Sequence, residues 1–208
     1  MKPYRLYTRH QTGGMAVEAA LKLSGVTFDT VSVPRPDALT ATADFAKVNP
    51  RLQVPVLIHP DGTVITEGPA ILAHIGDAFP AAGLIPTPGT ALRATHDRWL
   101  GFFHANVYEA MLREFRPERY TTDPTTASPV RFAATAYIRR HFQIFESELT
   151  GGPFLTGQTV LMVDIYLWML CFWTDLDWLA THCPRIHDLW STAQSHPTLA
   201  RIAATHFP

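Results

Sequence analysis

The chain has 208 residues, room for one long domain or two short ones of about 100–150 residues, and too few for three. Apolar residues make up 47%, enough for a sizeable core and against general disorder, while charged residues are only 17%. Seventeen Lys and Arg stand against eighteen Asp and Glu, a formal net charge of -1, which excludes the basic excess of a nucleic-acid binder, while the low charge content and five Trp point to apolar surface that something, such as a partner subunit, must cover.

The first third alternates strand and helix signals. Tyr4 to Thr8 (YRLYT) is short, aromatic and bounded by polar residues, as a strand is. Gly13-Gly14 breaks the chain, and residues 15–23 (MAVEAALKL) follow with helical spacing at Val17, Ala20, Leu21 and Leu23, stopped by Gly25. Residues 28–33 (FDTVSV) alternate as a second strand, and residues 41–48 predict a short helix ended by Asn49-Pro50. Residues 54–59 (VPVLIH) and 63–66 (TVIT) are β-rich runs joined by Pro60-Asp61-Gly62, a strong hairpin signal. Helix resumes over 67–78. The order is β-α-β-α-β-β-α, with a parallel-then-antiparallel sheet.

Residues 79–90 (FPAAGLIPTPGT) hold three Pro and two Gly and read as a linker. Beyond them strand signals vanish. Residues 91–115 predict one long helix, residues 116–129 a Pro- and Thr-rich loop, and residues 130–149, 160–173 and 186–193 further helices. The run VLMVDIYLWMLCFW, residues 160–173, has 14 residues and contains Asp164, too short for a membrane span. The N-terminus lacks the apolar stretch of a signal peptide, so the chain is expected to be soluble and cytoplasmic. Cys171 and Cys183 share no CxxC spacing, and the histidines show no ligand spacing, so no metal site is expected.

The most informative segment is NPRLQVPVL, residues 49–57. Pro55 stands inside a β-run, where proline removes a ladder donor. A cis bond at a strand start is one reason for it to stand there, since such a bond turns the preceding residue's backbone outward to bind something. The second hairpin strand runs into TEGPAI, residues 66–71, which puts Glu67 and Gly68 at a helix N-terminus whose amides can hold an anion.

NPRLQVPVL followed by TEGPAI resembles the cytosolic glutathione S-transferase family, and the resemblance spans essentially the whole chain. It implies an α/β thioredoxin-like N-terminal domain at 1–80, a linker at 81–90 and an all-α C-terminal domain at 91–208. It further implies that Pro55 is cis, that the backbone of Val54 pairs with the cysteinyl unit of glutathione, and that Glu67 and Gly68 hold the γ-glutamyl end. The Glu-Gly form, and Gln53, are similar to bacterial beta-class members. The chemistry is consistent: a helix-start amide suits a carboxylate, and Glu67 suits an ammonium.

Catalysis needs the thiolate of glutathione, whose thiol titrates above neutrality. Family members use Tyr, Ser or Cys near the end of the first strand. The beta-class cysteine position falls on Gly13, and the first domain contains no cysteine. Thr12 lies about where serine-type members keep their hydroxyl and also reads as an N-cap of the first helix; Tyr7 falls at the tyrosine-type position; His10, Gln11 and backbone amides remain alternatives. His104 and Tyr108, four apart on one helix face, are expected at the electrophile site, Tyr108 about where beta-class enzymes place a histidine. Arg113 and Arg116 are weaker candidates for the glycine carboxylate of glutathione. In the family's Ser/Thr-x-x-Asp capping box, Asp164 is kept, Leu161 replaces the hydroxyl, and Thr159 is expected to serve instead.

The resemblance therefore implies a transferase joining glutathione to a small apolar electrophile, with glutathione as co-substrate, no other cofactor, and a homodimer as its assembly. A glutathione-binding or scaffold protein with little turnover is the alternative, motivated by the missing cysteine. Thiol–disulfide chemistry needs a nucleophilic Cys beside the cis proline, and both cysteines lie in the other domain.

Overall fold

Strand β1 (Tyr4–Thr8) buries Tyr4, Leu6 and Thr8 and leaves Arg5 exposed, the period-two pattern of a pleated strand with one face on a core. The structure is a computed structural model and describes residues 2–35, 43–149 and 151–208. Two compact units make up the chain: Met1–Ile85 with Gln194–Pro208, and Pro86–Ala193. The sequence reading runs the helical domain from 91 to 208. In the structure the last segment instead belongs to the first unit, because α10 (Pro197–His206) packs on α1 (Gly14–Leu23), burying Leu199, Ile202, Ala203 and His206.

The first unit follows the expected order. After β1 and α1 come β2 (Phe28–Ser32), α2 (Ala43–Val48), β3 (Val56–Ile58), β4 (Val64–Ile65) and α3 (Gly68–Ala78). Two residues of the expected second helix, Ala41 and Thr42, lie outside the described residues. The sheet order is β2-β1-β3-β4, with β2 parallel to β1 and the other pairs antiparallel. Register places Leu6 opposite Thr30 and Leu57. The hairpin turns as its residues dictate: Asp61 Oδ1 accepts from Thr63 N–H at 2.8 Å, and Gly62 takes φ 97°. Both hairpin strands are shorter than their apolar runs. β3 starts only after Pro55, which has no N–H to give a ladder.

Helix α1 buries Met15, Ala16, Val17, Ala19, Ala20 and Leu21, and packs against α3, which buries Ile71, Leu72 and Ile75. Each fully buried large aliphatic side chain contributes roughly 1.5–3 kcal/mol. Gly14 is not a break but the first helical residue. A Cβ there would lie 1.8 Å from Thr8 Oγ1, so only glycine lets the helix start this close to β1.

The second unit is helical: α4 (Ala91–Phe102), α5 (Glu109–Phe115), α6 (Ala127–Glu148), α7 (Met162–Cys171), α8 (Leu176–His182) and α9 (Pro184–Gln194). The single helix expected over 91–115 is interrupted by a π-helical turn, Phe103–Tyr108, between α4 and α5. Within it Asn106 Nδ2 donates to the carbonyl of Phe102 at 3.0 Å, and Tyr137 Oη donates to Asn106 Oδ1 at 2.9 Å. Helix α8, capped by Asp175, and helix α10 are absent from the sequence expectations. Trp99 and Phe103 each pack edge to face on Phe145 at a centroid separation of 4.7 Å, beside an α7 that is buried on every side.

The start of α7 corrects one expectation. Thr159 is exposed and does not cap the helix. The amide of Val163 instead donates to Nε2 of the fully buried His96 at 3.2 Å. His96 Nδ1 lies 2.8 Å from Asp97 Oδ1, so that nitrogen carries the proton and Nε2 accepts. An imidazole from α4 thus replaces the hydroxyl that Leu161 lacks. Asp164 keeps its part of the motif, accepting from Leu161 N–H at 2.9 Å and Leu155 N–H at 3.0 Å, while burial pushes its carboxyl up to about 7. Cys171 and Cys183 are free and buried; burial raises both thiols, that of Cys183 to about 12. Among the described residues no helix is long and apolar enough to cross a membrane.

Candidate functional site

Two loops of the first unit carry the residues singled out above. The first joins β1 to α1. Gln11 sits there with φ 58°, a left-handed conformation costly for a residue with a Cβ. Thr12, half-buried, donates its hydroxyl to the carbonyl of Arg9 at 2.7 Å and accepts a long 3.4 Å contact from Gly14 N–H. Its proton is therefore directed into the loop, and Gly13, not Thr12 as the sequence suggests, is the N-cap residue of α1, with no side-chain cap. For Thr12 to donate to a thiolate, the bond to Arg9 must first be exchanged. The start of α1 carries the positive end of its helix dipole, so positive potential is present there without the hydroxyl.

Tyr7 sits elsewhere. Its ring stacks on Phe45 at 5.6 Å and 28°, inside the cluster of Val33, Phe45 and Val56 with Val48, Leu52, Val54 and Ile58. His10 is exposed and lies 5.3 Å from the ring of His206.

The second loop leads into β3. Buried Asn49 organises it: Nδ2 donates to the carbonyl of Gln53 at 2.8 Å, and Oδ1 accepts from Arg51 N–H at 3.1 Å. Leu52 takes φ 54° in the same turn, its N–H bonded to the carbonyl of Asn49. The Gln53 side chain is left exposed. The Val54–Pro55 bond is cis, and Val54 lies ahead of the ladder, which begins with Val56 opposite Tyr7. Glu67 precedes α3 with φ 63° and ψ 115°, well outside the regions ordinary residues occupy. Its carbonyl accepts from Ile71 N–H as the first helical bond, and its carboxylate meets Arg51 Nη1 at 2.6 Å. That ion pair ties the loop before β3 to the start of α3. Gly68 is buried at the first helical position and Pro69 follows it, so the Gly68 amide needs no partner inside the helix. The pair of an acidic side chain and a helix-start amide can receive an ammonium and a carboxylate together.

His104 and Tyr108 lie in the second unit, inside the π-helical turn rather than on a plain α-helix. They still meet, their rings stacked at 5.5 Å and 28°. A hydrogen bond of 2.9 Å joins His104 Nδ1 to the hydroxyl of buried Tyr166, and Trp173 lies 5.8 Å from Tyr108. Arg113 pairs with Glu109 at 3.4 Å and lies over the Tyr120 ring. Among the described residues no group of three or more His, Cys, Asp or Glu could hold a metal ion.

Sequence reasoning missed the organising roles of Asn49, Arg51 and His206. A buried Asn before a Pro carries a local turn signal; Arg51 and His206 carry none, because their partners lie far along the chain.

Two profiles of one family match this chain: the glutathione S-transferase N-terminal domain over residues 15–78, and the glutathione S-transferase C-terminal domain over residues 106–201. The chain is 26% identical over 170 residues, 81% of each protein, to glutathione S-transferase GstA of Escherichia coli O157:H7. It superposes on a glutathione transferase homolog from Sulfitobacter with bound glutathione at a TM-score of 0.88, with 22% identity and all of both chains covered. A sphingomonad glutathione S-transferase complexed with glutathione superposes at 0.82, with 26% identity over 97% of this chain and 98% of that one. The matched segments begin after Thr12 and end before His206, so neither the β1–α1 loop nor the end of α10 belongs to them.

Proposed function

Because this chain belongs to the glutathione S-transferase family, we propose that its first unit binds glutathione and that the protein transfers the glutathione sulfur to a small apolar electrophile. The observation that carries the reading is Glu67, held in an unfavourable backbone conformation at the start of α3 and paired with Arg51. Strain of this kind persists where function uses it. In the proposed complex the carboxylate of Glu67 takes the γ-glutamyl ammonium and the Gly68 amide takes the adjacent carboxylate. Val54 offers its backbone to the cysteinyl unit, with Gln53 and Pro55 shaping the same turn. The names of the relatives and the glutathione bound in the sphingomonad structure support this choice of ligand.

The sulfur then lies toward the start of α1, where the helix dipole and backbone amides favour the thiolate. Thr12 donates to it once its hydroxyl leaves Arg9; Tyr7, stacked on Phe45, is the weaker candidate. His104 and Tyr108 are proposed as acceptor-side residues of the second unit. The protein is proposed to work as a homodimer in the cytoplasm, with glutathione as its co-substrate and no other cofactor. Phe132, 79% exposed on α6, and Phe115 are apolar surface of the kind a partner copy covers.

A second reading has its own observation. The Thr12 proton is engaged by Arg9, which favours a glutathione-binding protein with little turnover. Turnover of a chlorodinitrobenzene-type acceptor by the parent and by Thr12→Ala separates the readings. A measurable parent rate that falls in Thr12→Ala supports thiol activation by this hydroxyl. An unchanged rate removes Thr12 from the mechanism, and binding without any parent rate favours the second reading.

A further inference from the structure

The last helix reaches back to the loop that precedes α1. His206, in the final turn of α10 and 3% exposed, makes two directed bonds there. The N–H of Gln11 donates to its Nδ1 at 3.2 Å, and its Nε2 lies 3.1 Å from Glu18 Oε2 on α1. The first bond requires Nδ1 to be without a proton, so the ring is neutral and Nε2–H donates to the carboxylate. Glu18 is itself fixed by Lys22 at 3.2 Å, and its carboxyl is held below the usual range, chiefly by the His206 hydrogen bond. The ring of His10 lies 5.3 Å from that of His206. One imidazole therefore bridges α1 and the left-handed residue Gln11, whose φ is 58°.

We infer that His206 is a positioning residue for the thiol-activating loop: by accepting from the Gln11 amide while donating to Glu18, it holds Gln11 in its left-handed conformation and sets the placement of Thr12 and the first amides of α1. A residue in that conformation needs a partner that repays its cost, and the bond to Nδ1 is on that residue's own amide. Neighbouring Thr12 gains its register from the same turn, through its bond to Arg9. The part of the inference that concerns thiol activation rests on the proposed glutathione reading; the clamp itself does not.

Three variants test it. His206→Phe fills the space and removes both bonds. His206→Asn keeps an acceptor where Nδ1 stands, and His206→Gln keeps a donor where Nε2 stands. The readouts are kcat and KM for glutathione, the ultraviolet absorbance of bound thiolate against pH, and melting temperature. Expected is a loss of at least about tenfold in kcat for His206→Phe and His206→Gln, with the thiol titrating higher, and recovery to near the parent value in His206→Asn. Equal rates in the Asn and Gln variants, or losses that track melting temperature alone, overturn the inference. Amide exchange of Gln11 in the unaltered protein needs neither variants nor glutathione: slow exchange supports the clamp, and exchange at the rate of an open loop overturns it. Failure of glutathione binding in calorimetry refutes the proposed function and leaves the Gln11 result to decide the clamp.

Discussion

Glu67 allows strain and recognition to be separated in one pair of variants. Its φ of 63° and ψ of 115° put a residue with a Cβ where the backbone costs of order 1–3 kcal/mol. Its ion pair with Arg51 is solvent-exposed at both ends and offsets at most about 1 kcal/mol. Glu67→Ala and Glu67→Gly both delete the carboxylate, and only the second also deletes the Cβ. Glycine brings its own penalty of roughly 0.5–1 kcal/mol in lost chain freedom. The glycine variant is therefore expected to be more stable than the alanine variant by about 1 kcal/mol, read as a shift in urea midpoint at constant slope. Glutathione affinity is expected to fall alike in both. Losing a hydrogen bond to a charged group costs about 1.5–3 kcal/mol, or roughly ten- to a hundredfold in Kd. Equal stability of the two variants refutes the strain argument, and unchanged affinity refutes the role given to the carboxylate.

Other residues give sharper structural tests. His96→Phe keeps a buried ring but loses the acceptor for Val163 N–H, so it should cost about 1–3 kcal/mol, while His96→Gln, which can present an oxygen, should recover most of that; equal midpoints in denaturant contradict the cap. Gly14→Ala places a methyl 1.8 Å from Thr8 Oγ1 and 2.7 Å from Thr8 Cβ, and a loss of about 1–3 kcal/mol or more is expected by thermal melting; an unchanged Tm contradicts the close approach of α1 to β1. Glu18 has its carboxyl held below 4.5, so its contribution is fully present above that value and is lost as pH falls through the lower folded-state value. Stability followed from neutral to acid pH should therefore fall more steeply in the parent than in Glu18→Gln, and superimposable acid limbs contradict the pairing.

Where fold and site were legible, the signals were local. Pro60-Asp61-Gly62 announces its hairpin because the Asp side chain and the glycine torsion both act within the turn. The spacing of Val17, Ala20 and Leu21 marks α1 as a helix with buried residues, although its burial extends to Met15, Ala16 and Ala19 and leaves Leu23 partly exposed. NPRLQVPVL and TEGPAI flank the hairpin turn in the chain, and Arg51 and Glu67 join them in space. What escaped notice depends on distant partners or competing geometries. The cap of α7 comes from His96, 67 residues away, so nothing near Leu161 reveals it. The π-helical turn keeps the composition of an α-helix and differs only in its bonding. Helix α10 has a readable pattern in Leu199, Ile202, Ala203 and His206, spaced three, four and seven residues on, with Pro197 at its start, and the expectations above did not use it. Thr12 illustrates a further limit. Its hydroxyl is visible in the sequence, but the direction of its proton, toward Arg9, is a property of the folded loop.

The central claim is that the first unit recognises glutathione through Glu67 and the start of α3. Calorimetric titration of glutathione into the full chain tests it most directly: one saturable site per chain is predicted, and the absence of binding heat and of any thermal shift at millimolar glutathione would contradict it.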